Sequence, residues 1–188
     1  MPFRRRESLL LLLLAAAPVL AYAPALAEGR MLAPRAGASL HLPLRVEVWR
    51  AFARSELPTW NPTAFSGSPL LASYRPGALH PLMVALAPLP PLVAFQALVL
   101  LSLAAAGPLV YLYVRRLGAE KAGALLSAVG FTLGPYLVAW LEDTPTLVAA
   151  PTLPLLLLAA ESFLARGRAA AFAGLAAAVA LLALAGSP

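Results

Sequence analysis

Two adjacent carboxylates, Glu142 and Asp143, stand in a short turn between apolar runs. Divalent cations take hard oxygen ligands, so this pair can help hold a cation beside a lipid phosphate. The alternative is a turn that sets topology and caps a helix starting near Thr144. With Glu47, these are the candidate catalytic acids, since a carboxylate can act as a general base. Arg75 and His80 flank a proline-rich apolar segment, where they can contact a phosphate or a sugar, or anchor the loop among headgroups. Trp60 can stack on a sugar and Asn61 can hydrogen-bond one. Trp60-Asn61-Pro62 can equally be a structural corner, with Asn61 initiating the turn.

Other chemistry is excluded or bland. The chain has no cysteine, which removes disulfides, thiolate catalysis and zinc-thiolate sites. Two histidines, His41 and His80, are too few for a His-rich metal centre. There is no phosphate-cradling glycine loop and no nucleophile elbow. Glu161 is expected to pair with Arg166 and Arg168 at a membrane interface, and Gln96 to bond between helices.

The elements that carry these residues are membrane helices. The sequence is 61% hydrophobic and 12% charged, with a mean hydropathy of +0.82. Soluble domains are about 45–50% apolar and about 25% charged, so the excess must face lipid. Five runs are expected to span, over 9–27, 92–114, 122–141, 146–164 and 169–185. The net charge of +6 does not point to nucleic acid, because the basic residues sit in clusters between the runs. Arg4 to Arg6, Arg115-Arg116 with Lys121, and Arg166 with Arg168 fall on one side; Glu142-Asp143 falls on the other. The enrichment of Lys and Arg in cytoplasmic loops then places the N-terminus inside, in a bacterial-type plasma membrane. Ala25-Leu26-Ala27 also fits a signal-peptidase site, so the first run reads as a helix or a cleaved signal.

The fold class expected is therefore all-α: a polytopic bundle of about five spans with one long external loop. Residues 1–27 form the first helix, 28–91 the extracytoplasmic loop, and 92–188 a four-helix membrane region. Within the loop, Leu44, Val48, Trp49, Ala51 and Phe52 share one helical face, with Glu47, Arg50 and Arg54 opposite. This predicts an amphipathic helix that covers the bundle or faces an anionic headgroup. Residues 81–91 are too short to span and read as an interfacial or re-entrant entry to the next helix. In the third run Gly123, Ser127, Gly130 and Gly134 form a small-residue stripe suited to helix packing, with the alanine-rich fifth run as partner. Pro108, Pro135, Pro151 and Pro154 predict kinks.

The loop also carries a resemblance. Leu57 to Pro62, Ser66 to Leu70, His80-Pro81 and Arg116-Leu117-Gly118 resemble, in order and spacing, the signature of the YfhO-type bacterial membrane proteins, and Gly186-Ser187-Pro188 resembles a further element of it. That resemblance implies a GT-C-like architecture and transfer of a sugar from a polyprenyl-phosphate carrier on the outer face of the membrane. It also implies an acidic residue in the first external loop, as base or as ligand to a divalent cation. No aspartate stands at Ala38-Ser39-Leu40, where the family places one, and the family's double glycine is reduced to Ser66-Gly67. Two further expectations follow: a non-catalytic scaffold or lipid-handling subunit, and an N-terminal fragment that depends on another membrane subunit or a missing C-terminal half.

Overall fold

The computed structural model describes residues 5–33, 35–64 and 66–186. Arg4 of the basic cluster, Phe65 of the loop motif and Ser187-Pro188 of the terminal motif lie outside the described residues, as do the side chains of Arg5 and Arg6.

Helix α1 (Arg5–Ala27) is apolar on every side from Leu9 onward, as a helix facing lipid must be. A π-helical turn (Gly37–His41) runs directly into α2 (Leu42–Ala53). Two short strands, β1 (Trp60–Asn61) and β2 (Ser68–Pro69), pair antiparallel with Asn61 opposite Ser68. The five-residue α3 (Pro81–Ala85) follows, then the long α4 (Pro91–Arg116).

Beyond α4 the next two apolar runs are broken. The third becomes α5 (Lys121–Thr132), α6 (Pro135–Ala139) and a 3-10 turn (Trp140–Glu142). The fourth becomes α7 (Thr144–Ala149) and α8 (Thr152–Arg166). Pro135 and Pro151 lack the N–H that would continue each ladder, so the breaks fall where the sequence predicts kinks. Pro108 and Pro154 are absorbed inside α4 and α8 without a break. The last helix is α9 (Ala169–Leu184).

Four of these stretches are long and apolar enough to cross a membrane: Glu7–Ala27, Pro91–Arg116, Lys121–Glu142 and Thr144–Arg166. Their most apolar windows are only 11, 44, 28 and 33% buried. Most of that surface therefore faces outward, which lipid accommodates and water does not. The fifth expected span is shorter. At 16 residues, α9 extends about 24 Å at 1.5 Å per residue, against about 30 Å of hydrocarbon.

Helix α4 is the hub, packing against α1, α2, α5, α7 and α8. Its Ala94, Phe95, Leu98, Val99 and Leu103 are buried, with Val48, Trp49, Met83, Leu137 and Leu147 closing around them. The core is thus gathered toward the end of the bundle that carries the loop. A second cluster, Leu14, Tyr111, Ala124 and Ala128, joins α1, α4 and α5 toward the other end. The packed face of α5 is Ala124, Ala128 and Thr132, and the expected stripe points elsewhere. A methyl added at Gly123 or Gly130 would meet nothing within 4 Å, whereas one at Gly134 would run into the Gly130 carbonyl. Gly134 therefore serves the break before Pro135 rather than helix pairing.

Helix α2 lies on the bundle instead of floating beside it. Val48, Trp49 and Ala51 are buried, and the indole Nε1 of Trp49 donates to the Met83 carbonyl in α3 at 3.0 Å. Gln96 bonds to loop backbone, not to another helix. Its Nε2 donates to the Arg30 carbonyl at 3.1 Å, and its Oε1 accepts from the Leu32 amide at 3.2 Å. The end of α9 is fixed to the same loop: a methyl on Gly186 would sit 2.7 Å from the Arg75 carbonyl, and one on Gly77 2.9 Å from that of Ala185. At the opposite end Lys121 pairs with Glu7 at 3.8 Å and Arg116 with Glu161 at 3.9 Å. The expected partners of Glu161, Arg166 and Arg168, give way to Arg116 because α4 packs directly on α8.

Candidate functional site

Where the loop, α4 and the α7 turn meet, polar side chains are buried together. His41 closes the π-helical turn, and Arg45 follows one helical turn later on the same face. The wide π turn is an uncommon local structure that recurs at functional sites. It lets Gly37 lie against the backbone of Leu141 and Glu142, where a methyl would contact both carbonyls. That approach brings the α2 entrance up to the acidic turn.

His41 is 2% exposed, Arg45 1% and His80 4%. His41 Nε2 lies 3.2 Å from Asp143 Oδ1, and Asp143 Oδ2 accepts a hydrogen bond from the Thr146 hydroxyl. The Arg45 guanidinium stands 5.8 Å over the Phe95 ring. His80 caps α3, its Nδ1 accepting from the Leu82 amide at 3.3 Å.

The electrostatics are lopsided. Burial pushes the Arg45 guanidinium down to about 9, opposed by Asp143, so it remains charged at neutral pH. Burial lowers His41, Arg45 and Arg75 lower it further, and Asp143 pulls it back up. His80 is lowered by burial and then by Arg45. Both imidazoles are therefore neutral at pH 7. The bonds they make assign the tautomers: Asp143 fixes the proton of His41 on Nε2, and the α3 cap fixes that of His80 on Nε2.

Several polar atoms here have no hydrogen-bond partner among the described residues: Arg45 Nε and Nη1, His80 Nε2, His41 Nδ1 and Thr144 Oγ1. An unpaired buried donor costs about 1–3 kcal/mol, and more on a charged group. Positive charge and unpaired donors together are what an anion satisfies.

The residues nominated from sequence divide. Asp143 and His80 belong to this centre, and Arg75, exposed at its edge, adds positive field at His41. Glu142 does not join Asp143: it pairs with Arg35 at 3.6 Å. Glu47 pairs with Arg50 at 2.6 Å, and two residues beyond Arg45 it lies on the other side of α2. Among the described residues no three His, Cys, Asp or Glu side chains gather to hold a metal ion. Asn61 is a structural corner, 2% exposed, its Oδ1 accepting from the amide and hydroxyl of Thr63 at 2.9 and 2.8 Å. Trp60 is 58% exposed and seats its ring edge over Gly67.

Arg45 is the residue sequence reasoning missed. Its signal was present: His41, Arg45, Val48 and Trp49 fall at i, i+4, i+7 and i+8, so a cation occupies the face assigned to the core.

No protein-family model, curated protein or solved structure matches the chain.

Proposed function

We propose that the chain is a multi-pass protein of a bacterial plasma membrane that handles a phosphate-linked lipid at the extracytoplasmic end of its bundle, in the manner of GT-C-type sugar transferases. The observation that carries this reading is Arg45, a fully buried guanidinium with Nε and Nη1 unpaired, beside His80 Nε2, also unpaired. A phosphate is the kind of anion that satisfies such donors. The YfhO-like loop motif supports the same reading, because the loop that carries it packs into the same core as α2 and α4.

In this reaction the acceptor hydroxyl gives its proton to Asp143, and its oxygen bonds to the anomeric carbon of the carrier-linked sugar. The bond from that carbon to the phosphate oxygen breaks, and its electron pair leaves on the phosphate, where Arg45 and His80 stabilise the charge. His41 holds the Asp143 carboxylate in place.

The test is binding of undecaprenyl phosphate to the full chain in nanodiscs of neutral lipid, followed by native mass spectrometry, alongside transfer of radiolabelled sugar from its phosphodiester. Arg45→Met is expected to remove the binding. Asp143→Asn is expected to retain binding and lose transfer. Wild-type protein that binds no more undecaprenyl phosphate than Arg45→Met would end the proposal.

One observation favours a second reading, a non-catalytic lipid-handling subunit. Glu142 and Glu47 are each held by an arginine, which leaves Asp143 as the one sequence-nominated carboxylate in the centre. Binding without any transfer by the wild type would select this reading.

A further inference from the structure

Below His80 a cavity of about 190 Å³ opens between α4, the α7–α8 break and α9, lined among others by Ser102, Ala105, Leu109, Thr152 and Leu155. From Leu101 to Leu109 it follows α4 for about 12 Å at 1.5 Å per residue. It does so inside two of the stretches long enough to cross a membrane.

Its two hydroxyl residues leave the walls apolar. Ser102 Oγ donates back to the Leu98 carbonyl at 2.8 Å, and Thr152 Oγ1 donates to the Ala149 carbonyl freed by the helix break. The polar atom left without a partner is His80 Nε2, at the loop end of the slot. His80 is 4% exposed and its other nitrogen is committed to capping α3. An occupant must therefore be apolar along the slot and present a hydrogen-bond acceptor at the loop end.

We infer that this slot holds the leading stretch of the hydrocarbon chain of a phosphate-bearing lipid, with His80 Nε2 donating to its first polar oxygen. The inference rests on the proposed function for the identity of the headgroup, and a prenyl or an acyl chain satisfies the same chemistry. An apolar slot within the spanning stretches gives a chain its van der Waals contacts, while the donor at its loop end sets how deep the chain enters.

The experiment is photocrosslinking on the full chain in nanodiscs, with mass-spectrometric mapping. Two probes are used separately: polyprenyl phosphate and phosphatidylglycerol, each with a diazirine near the headgroup end of the chain. Expected are adducts within residues 101–109 and 151–155. Ala105→Trp, which fills the slot from a position exposed on its lipid side, should abolish them. His80→Asn keeps an acceptor for the α3 cap but loses Nε2, and should weaken them about tenfold, the worth of one charge-assisted hydrogen bond. It decides the matter should Ala105→Trp fail to fold. Adducts spread over the outward faces of all helices and unchanged in both variants would overturn the inference. Polyprenyl-phosphate adducts displaced by unlabelled polyprenyl phosphate support both slot and function. Phosphatidylglycerol adducts alone, lost in the variants, support the slot and count against the sugar-carrier function.

Discussion

Asp143 Oδ1 lies 3.2 Å from His41 Nε2, and this contact ties the first loop to the turn between the third and fourth apolar runs. It joins the π-helical entrance to α2, one turn before the buried Arg45, to the start of α7. The contact has a structural and a chemical consequence, which separate by mutation.

Asp143→Asn keeps the shape but removes the charge, which is partly exposed to screening. We expect a stability loss of about 1 kcal/mol, read by thermal unfolding in detergent. Sugar transfer should fall at least about a hundredfold, the usual scale for losing a general base. Glu142→Gln, whose carboxylate meets the exposed Arg35 at 3.6 Å, should change neither by a measurable amount.

Arg45→Met should leave the thermal transition unchanged or raise it. An unpaired buried charge carries a desolvation cost, which an apolar side chain of similar volume removes. Undecaprenyl-phosphate binding should be lost in the same variant. A protein that keeps its fold and loses its ligand places Arg45 in function; marked destabilisation would assign it a structural role instead.

The pH dependence follows from the two histidines. His41 and His80 are both lowered from 6.5 in the folded protein, by burial first and by Arg45. Below pH 6.5 the unfolded chain takes up protons that the folded centre resists, so stability is full above that pH and falls as pH drops toward the lowered values. The groups facing them, Arg45, Arg75 and Asp143, set the size of the effect. Thermal midpoints should fall between about pH 7.5 and about pH 5.5, and less steeply in Arg45→Met, which removes one cause of both shifts.

The hairpin should prove structural. Gly67 has φ +113°, and a methyl there would sit 2.6 Å from the Trp60 ring. Gly67→Ala should cost about 1–3 kcal/mol through backbone strain. Asn61→Ala should cost about 1–3 kcal/mol by leaving the Thr63 amide without its partner, with lipid-phosphate affinity in the folded fraction unchanged.

Topology is testable without background, because the sequence has no cysteine. Thr63→Cys, exposed in the hairpin loop, should react with a membrane-impermeant maleimide on intact cells. Leu117→Cys, 58% exposed at the other end of the bundle, should react only after permeabilisation. The reverse pattern would invert the orientation read from the basic turns.

By itself the sequence determined the class and the punctuation. Long apolar runs at this composition have only lipid to face, and a proline without an N–H must interrupt a ladder, so the helices and the breaks at Pro135 and Pro151 were legible. Asn61 was legible as a corner because its short side chain competes for its own backbone. Composition could not tell that Gly123 and Gly130 face outward. That outcome depends on which helix packs against which. The centre itself was a tertiary decision. Sequence nominated Glu142 with Asp143 because they are adjacent, yet successive side chains in a turn diverge, and the fold sends one to Arg35 and the other to His41. Arg45 read as one of several loop arginines until α2 folded onto α4 and enclosed it over Phe95. Burial, and with it charge left unpaired, arises from elements distant in sequence meeting in space. The spacing of residues along a single chain does not encode that meeting.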